Sequence, residues 1–212
     1  MQPITIIVTS CDRFDLLEKT LDSFFALNKY PFVEFHVNND SFNCVPFKLK
    51  QKYSRITWHE GVKRGLSGSW DYLISLVKTE YFFNIEDDWY FEGNPNFIEE
   101  SIEILNQGYH QVWIRDINDH QHKLSNFIFS LNHKDDFIHY KEIEKIKDWC
   151  GFTFNPSVRK LSDWHKLFPN GVKGIDEIDL SRKVYNNYQA ASLVNSACRH
   201  IGWNRHTKNF KI

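Results

Sequence analysis

The chain has 212 residues, enough for one domain with a sizeable core and short for two. Hydrophobic residues make up 42% and charged residues 25%, the balance of a folded soluble chain, which argues against disorder. Lys plus Arg total 26 against 27 for Asp plus Glu, so the basic surplus of a nucleic-acid binder is missing, although a local basic pocket is still allowed.

Ile4-Thr5-Ile6-Ile7-Val8 is a β-branched run that predicts a buried strand. Polar Thr9-Ser10-Cys11-Asp12-Arg13 follows. Leu17, Leu21 and Phe24 then recur at helical spacing, with Asp15 and Glu18 placed as a variant capping box. Val33 to Val37 predicts a second strand, closed by the turn-like Asn38-Asn39-Asp40-Ser41. Strand, helix, strand opens a parallel α/β sheet. Ile56 to His59 suits a third strand. Gly61 to Gly68 forms a glycine-bearing loop into a helix whose apolar stripe is Trp70, Leu73, Ile74 and Val77. Tyr81 to Ile85 is a strong strand signal that ends in Glu86-Asp87-Asp88, and Ile98, Ile102 and Leu105 mark a further helix. The second half is less regular. Gln111–Arg115 and Phe127–Leu131 suit strands, and residues 132–148 carry no clear period. Val158, Leu161 and Phe168 suggest a short helix after Pro156, and Leu180, Val184 and Tyr188 suggest another. No repeat or linker divides the chain. The expectation is one domain over 1–212, with a nucleotide-binding half over about 1–92 and an acceptor half over about 93–212.

Cys11, Cys44, Cys150 and Cys198 form no C-x-x-C pair and have no zinc-finger spacing. With no signal-peptide pattern at the N-terminus and no apolar run long enough to span a membrane, the expectation is a cytoplasmic protein with free thiols and no membrane span. The Asn39-Asp40-Ser41 sequon is then expected to be idle. Aromatic residues reach 16%, which predicts an aromatic-rich core with a few rings left to stack on bases or sugars.

Three consecutive carboxylates at the rim of a sheet repel one another, and a divalent cation relieves that repulsion with the oxygen ligands that magnesium or manganese prefer. Ligands of parallel α/β sheets bind outside the carboxyl ends of the strands, where these acids fall. Strand alternation points Glu86 and Asp88 into one site and Asp87 away. Without metal, deleting Asp88 is then expected to relieve repulsion and stabilise the fold.

This Glu-x-Asp spacing resembles the D-x-D signature of GT-A glycosyltransferases, with Glu in place of the first Asp. The resemblance, to family 2-like GT-A enzymes, covers most of the chain. It implies an α/β fold of Rossmann-like nucleotide-diphospho-sugar transferase type, a mixed, mainly parallel sheet flanked by helices. In that family the last acid, here Asp88, binds a metal on the donor diphosphate. Ile4 to Ser10 followed by Arg13 looks like the first strand and nucleobase loop, which implicates Thr9 and Arg13. Asn38 to Ser41 looks like the second-strand end, where an Asp, here Asp40, contacts uracil. Ser69-Trp70-Asp71 stands where the family has Ala-Arg-Asn near the donor, and Ser69 and Trp70 join Glu86 and Asp87 as donor-side candidates. Asp176-Glu177-Ile178-Asp179-Leu180-Ser181-Arg182 is similar to the family's acceptor-side "E-D-x-D-L-x-x-R", with the first acid pair reversed. A histidine near the C-terminus completes the metal shell in many such enzymes. His200 has that place, with Gly202 leaving room for close approach and His206 as the fallback. The size and the Glu-Asp-Asp-Trp segment also resemble the small glycosyltransferases of large chlorella-type viruses, which implies host cytoplasm and viral glycan synthesis.

The implied activity is transfer of a sugar from a UDP-sugar to a glycan or other hydroxyl acceptor, with Mn2+ or Mg2+ as cofactor. The metal on Asp88, supported by Lys63 or Arg64, meets the charge of the leaving diphosphate. Glu177, or its neighbour Asp176, takes the acceptor proton, and a single base opposite the leaving group implies inversion. Two other functions fit less of the sequence. A nucleotidyltransferase that makes nucleotide sugars needs a glycine-rich basic loop after the first strand, and a non-catalytic carbohydrate-binding protein needs neither acid group.

Overall fold

The computed structural model describes residues 1–116, 129–134 and 138–205. The strand expected at 127–131 therefore lies partly outside the described residues, and His206 wholly so. The N-terminal run forms β1 (Ile4–Ser10), followed by α1 (Phe14–Leu27), β2 (Glu34–Asn39), α2 (Phe47–Lys52) and β3 (Thr57–His59). Then come α3 (Leu66–Leu76), β4 (Tyr81–Glu86), β5 (Trp89–Phe91), α4 (Phe97–Leu105) and β6 (Gln111–Trp113). The remainder is β7 (Phe129–Lys134), β8 (His139–Ile143), β9 (Ser157–Lys160), α5 (Leu161–Leu167), α6 (Glu177–Val184), β10 (Ala190–Leu193) and β11 (Cys198–His200).

Among the described residues, nine strands form one mixed sheet in the order β3-β2-β1-β4-β9-β6-β10-β8-β7, and β5 pairs with β11 in a separate ribbon. The first four strands run parallel; β9 then enters antiparallel, between β4 and β6. Successive side chains on a strand face opposite sides. On β1, Ile4, Ile6 and Val8 join a core with Leu17, Leu21 and Phe24 of α1 and Ile98 and Leu105 of α4. Ile7 joins the opposite core with Trp70 and Leu73 of α3, Trp113, Trp164 and Leu180. The high aromatic content is mostly core: Phe24 alone packs against Phe25, Phe35, Phe83 and Phe91 at centroid distances of 5.3–6.0 Å.

Two local expectations change. The α1 capping box does not form. Arg13 is the N-cap and makes no side-chain cap bond, while Asp15 pairs with Arg205 and Glu18 with Lys52. The stretch after Pro156 opens as β9 rather than as helix, because Val158 and Arg159 are needed on the two faces of a central strand. All four cysteines are free. Asn39 is fully buried, so its sequon is closed to modification in the folded chain. Among the described residues no helix is long and apolar enough to cross a membrane.

Candidate functional site

The strand order reverses at β1. From β1 the chain passes outward to β2 and β3, then returns through α3 to β4 on the other side. A crevice opens outside the carboxyl ends of the strands at such a reversal. Register places Thr9 opposite Glu86, so the loop after β1 lies beside the acids after β4. Strand geometry ends at Glu86; Asp87 and Asp88 occupy a turn. The alternation expected to separate Asp87 from Asp88 therefore does not apply, and both meet Arg13.

Arg13 reaches across the crevice as a fork, Nη2 to Asp87 Oδ1 and Nη1 to Asp88 Oδ2. Asp87 is fully buried and also accepts hydrogen bonds from Ser10 Oγ at 2.9 Å and from Cys11 N at 3.0 Å. Burial raises its carboxyl to about 6 against the pull of Arg13. Burial also acts to raise Asp88, but the bond with His200 and the charge of Arg13 hold that carboxyl below the usual carboxylate range. The positive charge that the acids require is thus supplied first by the chain itself, which corrects the argument that their repulsion calls for a metal.

His200 Nε2 lies 3.0 Å from Asp88 Oδ2. Its ring is flanked by Trp89 and Trp203 at centroid distances of 5.1 and 4.4 Å. Pairing of β5 with β11 puts His200 opposite Trp89. Ile201 N donates to Asp88 O at 2.8 Å, and a Cβ at Gly202 would overlap the Asp88 carboxylate, so the backbone packs as closely on this acid as glycine permits. Among the described residues no three His, Cys, Asp or Glu side chains are gathered to hold a metal. Asp88 with His200 offers two donors, one hard oxygen and one imidazole. That suffices for magnesium or manganese, which take one or two protein ligands and complete the shell with substrate phosphates and water.

Glu177 opens α6 with its carboxyl turned into the protein. Oε2 accepts from Phe154 N at 2.7 Å and Thr153 Oγ1 at 3.0 Å. Burial pushes this carboxyl up, opposed by those two bonds and by the charges of Arg159 and Arg115. Glu86 is raised well above the usual range, first by burial, then by the charges of Asp88 and Glu177. The first acid of the strand end and the acid of α6 therefore lie within electrostatic reach of one another. Asp176 does something else: it is exposed and caps α6, accepting from Asp179 N at 2.8 Å.

The rest of the candidates divide between rim and core. Asp40 is 8% exposed, and its carboxylate oxygens accept the backbone amides of Arg64 and Gly65. It clasps the loop before α3, so the base contact that the resemblance implies is not open to it in this arrangement. Lys63 lies over the Phe42 ring at 4.9 Å. Hydrogen bonds from Ser41 and Asn43, helped by the charge of Lys63, hold Asp12 below the usual carboxylate range, whereas burial and the charges of Asp12 and Asp40 push the Cys11 thiol up to about 11. Arg64 stacks on Tyr72 at 4.0 Å. Ser69 is fully buried and accepts from Asn38 Nδ2 at 2.9 Å. Trp70 is 1% exposed and stacks on Trp164 at 5.1 Å. Neither presents a surface to a donor, which corrects their assignment. The helical stripe that carries Trp70 was in the sequence and pointed to core.

Sequence reasoning missed Arg115 and Arg159. Both are 2% exposed, and their charges reach Glu177. Arg115 ends the apolar run Val112–Ile114 and lies 5.1 Å over the Trp89 ring. A charge closing an apolar strand was the available signal.

No protein-family profile matches this sequence, and no curated protein does. Solved structures do. PcManGT, a mannosyltransferase from Pyrobaculum calidifontis in complex with GDP-Man and Mn2+, superposes with a TM-score of 0.66 at 14% identity, over 95% of this chain and 57% of that one. TarS 1-349 of S. aureus gives 0.58 at 13% identity, over 95% and 61%. Its complex with UDP-GlcNAc gives 0.59 at 12%, over 98% and 62%. This chain has the GT-A fold. It spans about three fifths of the length of these neighbours.

Proposed function

We propose that this chain transfers a sugar from a nucleotide diphospho-sugar, UDP-linked by its resemblance, to the hydroxyl of a glycan or similar acceptor. The observation that carries the reading is the meeting, at the β1/β4 reversal, of the Asp88–His200 pair and the Arg13 fork, with the inward-turned Glu177 within electrostatic reach of Glu86. That the fold neighbours include one solved with GDP-Man and Mn2+ and one solved with UDP-GlcNAc supports a nucleotide-sugar donor. The half over about 1–92 takes the nucleotide, with Thr9 and the Asp40-held loop at its rim and Lys63 and Arg64 toward the diphosphate. The half over about 93–212 takes the acceptor.

Asp88 and His200 are the residues that would hold a divalent cation, manganese or magnesium, and bound there it would supply Lewis-acid stabilisation of the departing diphosphate. Arg13 keeps Asp88 ionised and oriented. Glu177 accepts the acceptor's hydroxyl proton as the new oxygen–carbon bond forms and the anomeric carbon–phosphate oxygen bond breaks. Its burial raises its basicity toward what that task needs. Asp176 fixes the start of α6 and so aims Glu177. From Thr9 at the end of β1 through Arg13 there is no glycine, which disfavours a nucleotidyltransferase.

The test uses calorimetry with UDP and GDP, with and without Mn2+, then release of nucleoside diphosphate from a panel of UDP- and GDP-sugars. Manganese-dependent binding of one nucleotide is expected. Glu177→Gln should cut transfer ~10²-fold or more while that binding survives. No nucleotide binding in either condition, or full transfer by the Gln variant, would overturn the reading.

A further inference from the structure

Behind Glu177 lies a buried cation that packing alone does not account for. Arg159, in the middle of β9, is 2% exposed. Its guanidinium sits among Phe152, Trp164 and Trp70 at 5.0, 5.4 and 5.5 Å from the ring centroids. It makes no ion pair among the described residues. A guanidinium removed from water and left without a carboxylate is costly, and an apolar side chain of similar volume would fill the cage at less expense.

Its hydrogen bonds show where it acts. Nη1 donates to Tyr188 Oη at 3.0 Å, Nε to Asn84 Oδ1 at 3.4 Å and Nη2 to the Thr153 carbonyl. Tyr188 Oη donates in turn to Gln111 Oε1 at 2.6 Å, and Gln111 Nε2 donates to the same Thr153 carbonyl at 3.0 Å. Thr153 is therefore gripped from behind by two side chains. From the front, its hydroxyl and the next amide hold the Glu177 carboxylate. The charged and titratable groups facing Glu177 are Arg159 on β9, Arg115 beyond β6, Glu86 on β4 and Tyr188 before β10. Glu86 disfavours a second negative charge, and the two arginines favour it.

We propose that Arg159 is a positioning residue for Glu177: through the Thr153 carbonyl it fixes the two donors on that carboxylate, and its buried charge favours the ionised carboxylate. The chemical importance of this rests on Glu177 being the base; the coupling itself does not.

The test therefore reads Glu177 directly. The full chain is labelled with glutamate carrying 13C at the side-chain carboxyl, and the Glu177 resonance is assigned by its loss in Glu177→Gln. It is then titrated in the wild type, Arg159→Met and Arg159→Lys. Arg159→Met should move the Glu177 midpoint up by about one pH unit or more. Arg159→Lys, which keeps the charge, should move it by less than half as much. An unmoved midpoint in the Met variant, or equal shifts in both, would overturn the proposal. Should the Met variant not fold, Tyr188→Phe decides. It frees one edge of the guanidinium and leaves the charge, so the Glu177 carboxyl resonance should shift from its wild-type position and kcat should fall several-fold with donor KM unchanged; an unshifted resonance would overturn the proposal whatever the kcat. Full transfer by Glu177→Gln, with the titration shift intact, would instead defeat the assignment of the base and leave the coupling standing.

Discussion

Neighbouring carboxylates at a strand end repel one another, and in this chain Arg13 offsets that repulsion from within. Its fork is charge-assisted and nearly dry, with 14% of the Arg13 side chain and 6% of the Asp88 side chain accessible. Breaking such a pair leaves a buried charge incompletely matched. Asp88→Ala should therefore lower the Tm of the free protein by roughly 3–6 °C, the reverse of what three repelling acids alone suggest. It should also abolish the manganese-dependent part of nucleotide binding. A Tm at or above wild type by differential scanning calorimetry would return the cluster to simple repulsion. Glu177 has the opposite sign. A carboxyl whose folded pKa lies above its unfolded value, about 4.3, stabilises the fold fully below that value and loses the contribution as pH rises through the folded one. Glu177→Gln keeps an oxygen that can accept from Phe154 N and Thr153 Oγ1 but cannot ionise. Its Tm should exceed wild type by roughly 2 °C at pH 7, with the gap closing toward pH 4. A gap independent of pH would mean that Glu177 ionises as freely in the folded chain as in the unfolded one.

At the scale of elements, the loop before α3 shows how a residue can serve a site without touching its ligand. Gly65 has φ 71°, a left-handed conformation natural to glycine, and the two amides at 64 and 65 converge on Asp40. Asp40→Ala releases that clasp and lets Lys63 and Arg64 move. Donor KM should rise about 5- to 10-fold with kcat changed less than twofold, as expected for a loss of binding shared by ground and transition states. An unchanged donor KM would confine Asp40 to local structure. Most of the first half of the chain was legible because its elements carry their own signals: a β-branched run at β1, alternating Val33, Phe35 and Val37 leading into β2, a helical stripe on α1 and on α3, and an apolar run ending in acids at β4; the single short turn of apolar residues in α2 was not read. β5, β10 and β11 were not. Trp89–Phe91 and Cys198–His200 are each three residues and exist only as partners of one another, far apart in sequence. Ala190–Leu193 carries two alanines and a serine, whose strand character comes from pairing with β6 and β8 rather than from propensity. The same non-local pairing brings His200 to Asp88, so its ligand geometry was not readable from spacing. Glu177 was legible by motif, but Arg159, which backs it, required knowing that β9 is central.

Across the whole molecule, the sheet separates two cores and its carboxyl edge gathers the polar groups left over. Arg13 and the acids it pairs come from the loops after β1 and β4. Glu177 arrives on α6, more than eighty residues later in the chain, and comes within electrostatic reach of Glu86. Under the proposed function, a leaving diphosphate on the Asp88–His200 side and a base on α6 would put the two reacting oxygens on opposite faces of the sugar ring. A single displacement then inverts the anomeric carbon. Retention would require a nucleophile on the sugar's base-facing side to form a covalent intermediate first. Proton NMR of the first product formed, before any mutarotation, should show the anomeric coupling opposite in configuration to the donor's. Glu177→Gln should give the same configuration at its residual rate. A product of retained configuration would remove Glu177 from the role of single base, whatever its effect on kcat.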